Sequence, residues 1–148
     1  MVQLTDEELL ALGKITYLWA VVDDLLATNS LFCSEFYKIP LGPGFKSTNF
    51  NKRREAWRLL VADLKHIPPA HRKRVLSIDG RIAKASDKRQ ELLHGVAYRG
   101  LSGGVQFLRQ LPPKSIKHQS DLVALKAFAD ELSLIAGELT MMMELWGH

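Results

Sequence analysis

Apolar residues recur three and four positions apart over most of this chain, the spacing that lines one face of an α-helix. In the first segment Leu12, Ile15, Leu18, Trp19, Val22, Leu25 and Leu26 form such a face. Thr5 and Glu8 have the spacing of a capping box, and Asp6 and Glu7 suit the positive end of a helix dipole. A helix from Asp6 to about Thr28 follows. Ser30 to Tyr37, with Leu31, Phe32 and Phe36, reads as a separate short helix, and Ile39-Pro-Leu-Gly-Pro-Gly-Phe45 breaks regular structure before a loop to Asn49. Trp57, Leu60, Val61 and Leu64 predict a helix over Asn51–His66, ended by Pro68-Pro69. Val75, Ile78, Ile82, Ala85, Arg89, Leu92, Leu93 and Val96 predict a long helix from about Pro69 to His94 or slightly beyond, either ending at Gly95 as a C-cap or loosening there. Gly100, Gly103, Gly104, Pro112 and Pro113 point to loop over 99–118, with Val105–Leu108 a short extended candidate. Leu122, Leu125, Phe128, Leu132, Ile135, Leu139 and Met143 predict a last helix over Asp121–Trp146, capped by Ser120, in which Met141-Met142-Met143 fills core or interface. The expected fold is all-α: one domain over residues 1–148, an up-and-down bundle of four to five helices, antiparallel in packing.

One position breaks the pattern. Arg89 falls near the centre of an apolar stripe, where burial of a guanidinium without partners costs several kcal/mol. His94 follows five residues later, about 140° further round an ideal helix, so one chain does not place the two on one face. A permanent cation beside a group that titrates near neutral pH suits an anionic ligand or phosphate chemistry. The structural alternative is that Arg89 pairs with a buried acid such as Asp23 or Asp24 while His94 caps the helix end.

Charge is unevenly distributed. Residues 1–37 carry a net −5, residues 38–117 a net +13 and residues 118–148 a net −4, within an overall +4. The basic middle is a surface for a polyanion or a solvated face partly neutralised by the acidic helices. Arg53, Arg54, Arg58, Arg72, Lys73 and Arg74 are its candidates for following an RNA backbone. The hydrophobic fraction of 47% and charged fraction of 24% fit an ordinary globular domain. A single cysteine, Cys33, excludes an intrachain disulfide framework, and His66 and His71 lack the spacing of a zinc site. There is no Gly-rich phosphate loop, nucleophile elbow or paired-carboxylate signature, so neither metal nor cofactor is expected. No stretch approaches the roughly 18 apolar residues of a membrane span. With no basic, apolar leader at the N-terminus, a cytoplasmic location and no membrane partner are expected.

Arg89-Gln90-Glu91-Leu92-Leu93-His94-Gly95, late in a long helix of an all-α chain, resembles the Arg-x4-6-His motif of HEPN domains. The first helix, with Gly13-Lys-Ile-Thr-Tyr-Leu-Trp19 and Asp23-Asp24-Leu25, is similar to the opening helix of such domains. The resemblance implies a helical domain that forms a homodimer, with two motifs facing each other in a composite, metal-independent ribonuclease site. Arg89 and His94 would be its catalytic residues, with Gln90 in support. From spacing alone, Glu91, three residues before His94, is placed either to orient it or to face solvent, and Tyr98, four residues after it, either to share its face or to pack at the rim. The resemblance also implies the setting of a toxin or defence protein, with an antitoxin or other protein as partner. Two positions depart from the family pattern. Gln90 stands where Asn, Asp or His is common, and Val96 where some members carry a modifiable tyrosine, the nearest here being Tyr98.

The chemistry is coherent on its own terms. An RNA 2′-OH can attack the adjacent phosphate if protons are accepted and donated and charge on the phosphorane is stabilised. His94 suits the proton roles and the Arg89 fork suits phosphate oxygens. A non-catalytic module in which Arg89 and Gln90 hold a nucleotide or a partner's carboxylate is the alternative.

Overall fold

The structure, a computed structural model, describes residues 4–62, 65, 67–101 and 118–144, with 93–101 and 118–121 as backbone only. The described residues form four α-helices and no strand: α1 (Asp6–Tyr37), α2 (Phe50–Ala62), α3 (Pro69–Leu101) and α4 (His118–Met143), with a single 3-10 turn at Pro43–Lys46. The all-α expectation is met.

The helix boundaries differ from the sequence expectation, each for a local reason. α1 runs unbroken through Asn29-Ser30, where two helices were expected. Both side chains fold back on their own helix: Asn29 Nδ2 donates to Leu25 O at 3.0 Å and Ser30 Oγ to Leu26 O at 2.9 Å. Asn29 Nδ2 also donates to Leu139 O of α4 at 3.1 Å, so Asn29 ties α1 to α4 inside the core. The Thr5–Glu8 capping box is present, each side chain accepting from the other's backbone N–H at 3.1 Å. Lys38 ends α1 in the left-handed region at φ 56°, donating to Ser34 O. α2 stops at Ala62 rather than His66. α3 continues past Gly95 to Leu101, so Gly95 is not a C-cap and His94 does not close the helix. α4 begins at His118, leaving Ser120 inside it. Leu64, His66, Val105–Leu108 and Trp146 lie outside the described residues.

The core follows the predicted stripes. Ile15, Trp19, Val22 and Leu26 of α1 pack with Trp57 and Val61 of α2, Val75, Ile78, Ile82 and Ala85 of α3, and Leu125, Phe128, Leu132, Ile135 and Leu139 of α4. At the end of α4 it is Met142, not Met143, that is buried. Arg54 and Arg58 of α2 face Asp79 of α3 while Arg72 reaches back to Ala62 O, so α2 and α3 are antiparallel. Arg81 meets Glu131 and Glu138 while Lys88 lies beside Ala127, so α3 and α4 are antiparallel too. α1 and α4 run the same way, because Leu10 and Lys14 border Lys126 and Asp130 while Asn29 meets Leu139, so the bundle is all-α but not the up-and-down, antiparallel order expected from the sequence.

The connection over 38–49 sets this arrangement. It brings α2 back to the level of Trp19, against which Phe50 packs, about 27 Å from the end of α1 at 1.5 Å per residue. Twelve residues can span up to about 40 Å. The turn passes so close to α2 that a Cβ on Gly44 would meet Lys52 O at 2.8 Å.

Candidate functional site

Arg89 continues the stripe of α3 that Ile78, Ile82 and Ala85 bury, and it is half-buried. Its guanidinium carbon lies over the Trp19 ring of α1, 5.3 Å from the centroid. Its Nε is buried without a hydrogen-bond partner among the described residues, and none of their carboxylates forms an ion pair with it. The π face of Trp19 thus holds the cation where a carboxylate was the structural expectation.

The acids once matched to Arg89 are otherwise disposed. Asp23 receives a two-point contact from Arg53, Nε to Oδ1 at 3.1 Å and Nη2 to Oδ2 at 2.7 Å, and Arg53 Nη1 donates to Ser47 O at 2.9 Å. Asp24 is exposed. The internal pairing of Arg89 with either acid is therefore absent, because α2 starts beside Trp19 and delivers Arg53 to Asp23 first.

Phe50 ties these groups together. Its ring packs on Trp19 at 4.6 Å between centroids, tilted by 48°, and Arg53 lies over it at 5.7 Å. Arg89, Trp19, Phe50, Arg53 and Asp23 form one continuous cluster across α3, α1 and α2, with a cation at each end. Asp23 neutralises only the Arg53 end.

Gln90 and Glu91 are exposed on the turn after Arg89. His94 lies on the same helix five residues on, about 140° around it; the side chains of His94, Val96 and Tyr98 lie outside the described residues.

The six cations proposed to follow RNA divide into two groups. Arg53, Arg54 and Arg58 have carboxylate partners: Asp23 for the first, Asp79 at 2.5 Å for the second, and Glu55 at 3.7 Å and Asp79 at 3.9 Å for the third. Arg72 donates to Ala62 O at 2.7 Å and so helps join α2 to α3. Lys73 and Arg74 are exposed on the first turns of α3, where no acid complements the helix dipole.

Sequence reasoning missed two residues. In sequence Trp19 is one more member of the α1 stripe, and only its contact with Arg89 of α3 gives it another role. Arg81, not singled out, bridges Glu131 at 2.8 Å and Glu138 at 2.5 Å, and the Glu131 hydrogen bond raises its already high pKa. The spacing of Glu131 and Glu138, one heptad on one face, was the available signal. Among the described residues no group of three or more His, Cys, Asp or Glu gathers as a metal site, and no helix is long and apolar enough to cross a membrane.

Compared with protein-family models, with curated proteins and with solved structures, the chain matches none.

Proposed function

We propose that the protein is an endoribonuclease of the HEPN type, acting as a homodimer in which Arg89 and His94 of both subunits line a shared cleft. The observation that carries this reading is the state of Arg89: a half-buried cation on a core stripe, held by Trp19 and left without a carboxylate among the described residues. A stored positive charge of this kind suits a phosphate oxygen arriving from outside, and guanidinium binds such oxygens through its planar fork.

In the reaction, His94 of one subunit takes the proton of the 2′-OH and its counterpart in the second subunit returns one to the departing 5′-oxygen. Arg89 stabilises the added charge on the phosphorane. A dimer overcomes the angular separation of Arg89 and His94 on one helix by facing two helices toward one another. The cleavage needs neither metal nor cofactor, and an antitoxin or other protein partner would act by covering the cleft.

Arg89→Ala and His94→Ala test this directly. Both variants are expected to stay folded and to lose RNA cleavage by at least about 100-fold, the usual scale of a missing acid–base or charge-stabilising group. Undiminished cleavage by both would refute the assignment. Tight nucleotide binding with no cleavage by the unaltered protein would instead favour a binding module, for which exposed Gln90 beside Arg89 supplies a further donor and acceptor.

A further inference from the structure

Two arginines in this bundle lie over aromatic rings, and they differ in what their donors do. Arg53, over Phe50, gives Nε and Nη2 to Asp23 and Nη1 to Ser47 O. Its fork is engaged on every nitrogen and its charge is neutralised. Arg89, over Trp19, has no hydrogen bond or ion pair to a described residue; its Nε is buried, so the two Nη groups are the donors that an incoming ligand can reach. Guanidinium N–H groups lie in the plane of the group, whereas a ring holds the cation through its electron-rich face. An aromatic face therefore fixes a guanidinium in place without occupying its donors, which a carboxylate partner cannot do.

Trp19 is suited to that task because it is itself fixed. It is 9% exposed, belongs to the core stripe of α1, and is braced by Phe50 at 4.6 Å. We propose that Trp19 is a positioning residue for Arg89: it holds the guanidinium at a set place and orientation, with its Nη donors free to receive a phosphodiester. The substrate class rests on the ribonuclease reading given above; the positioning of Arg89 for an anion does not.

The test measures kcat and KM for RNA cleavage in Trp19→Phe, Trp19→Leu and Leu139→Ala, with thermal unfolding of each. Trp19→Phe keeps a ring under Arg89 and is expected to hold kcat within about threefold of the unaltered protein. Trp19→Leu removes the ring and is expected to lower kcat about tenfold, the scale of a partly desolvated cation–π contact, with KM changing less than about twofold. Leu139→Ala opens the core beside Asn29, about 15 Å along α1 from Trp19, and is expected to leave kcat within about twofold despite a comparable or larger drop in Tm. Equal loss of kcat in Trp19→Leu and Leu139→Ala, following Tm, would overturn the proposal, as would wild-type kcat in Trp19→Leu.

A second measurement separates this proposal from the ribonuclease reading and does not depend on cleavage. An oligonucleotide with 2′-deoxy sugars, which cannot be cleaved by 2′-OH attack, is titrated while tryptophan emission is followed. Emission is expected to change in the unaltered protein and not in Arg89→Ala or Trp19→Phe. That result in a protein that cleaves no RNA would leave the positioning role standing and the ribonuclease reading overturned. No change in the unaltered protein would overturn the positioning role.

Discussion

Arg54→Met separates a cation that holds the bundle together from one that meets RNA. Arg54 Nη1 lies 2.5 Å from Asp79 Oδ1, and the two side chains are 18% and 14% exposed. Methionine keeps most of the aliphatic stem and removes the charge and the donors, leaving Asp79 without its nearest cation. Breaking a fully buried pair from one side costs about 3–5 kcal/mol. Here residual solvent contact and Arg58, whose Nε stays 3.9 Å from Asp79 Oδ2, reduce the loss. About 2 kcal/mol is expected, equivalent to a fall in Tm of roughly 4–8 °C for a domain of this size. Thermal unfolding followed by circular dichroism measures it. Combining Arg54→Met with Asp79→Asn is expected to recover part of the loss, since the double variant no longer strands a carboxylate. The same variant bears on RNA: each phosphate contact contributes about 0.7 to the log–log salt slope for a single strand. The slope is expected to be unchanged, because Arg54 serves Asp79. An unchanged Tm with a slope reduced by one contact would refute this placement and return Arg54 to the RNA-facing set.

Other positions give independent checks. Asn29→Ala removes the buried Nδ2 donations to Leu25 O and Leu139 O, and should lower stability by about 1–3 kcal/mol with faster amide exchange late in α1; an unchanged denaturation midpoint would contradict the α1–α4 seam. Gly44→Ala would place a Cβ 2.8 Å from Lys52 O and 3.3 Å from the Ala56 Cβ, and should cost about 1–3 kcal/mol in urea denaturation, whereas a neutral effect would show that the turn is not held against α2. Burial pushes the Cys33 thiol up from 9.0 to about 11, so the folded protein should resist a thiol reagent at pH 8 and react only when unfolded in urea. Since the unfolded thiol ionises near 9 and the folded one near 11, Cys33 stabilises the fold below pH 9 and loses that contribution as pH rises toward 11. Cys33→Ala should flatten this decline; a decline identical to wild type would contradict it.

The core was largely legible because it depends on spacing alone. The stripes of α1, α2, α3 and α4 name all the large buried apolar side chains of those helices except Met142; the buried apolar residues they leave out are otherwise small, Cys33, Ala11, Ala62, Ala129 and Ala136. What failed were places where a polar residue has two possible partners. Asn29-Ser30 reads as a helix break in sequence, since both types compete for backbone hydrogen bonds; in the fold Asn29 Nδ2 and Ser30 Oγ make those bonds inside α1, while Asn29 Oδ1 is buried without a partner among the described residues. Gly95 reads as a cap, yet a glycine within a helix carries the same letter. The charged cluster was harder still. Arg89, Asp23 and Arg53 could be picked out, but which acid meets which arginine depends on where the 38–49 connection returns the chain. That connection has no periodicity to read. The oddity of Arg89 survives the structure, and its partner turns out to be Trp19, a residue whose hydrophobic role hid a second one.

The most direct test of the central claim is the identity of the RNA ends produced by the purified protein in the presence of a metal chelator. Attack by the 2′-OH, driven by Arg89 and His94, leaves a 2′,3′-cyclic phosphate and a 5′-hydroxyl. The account predicts these ends from the unaltered protein and their absence from Arg89→Ala at an unchanged fold. No cleavage by the unaltered protein, or the same cleavage by Arg89→Ala, would contradict it.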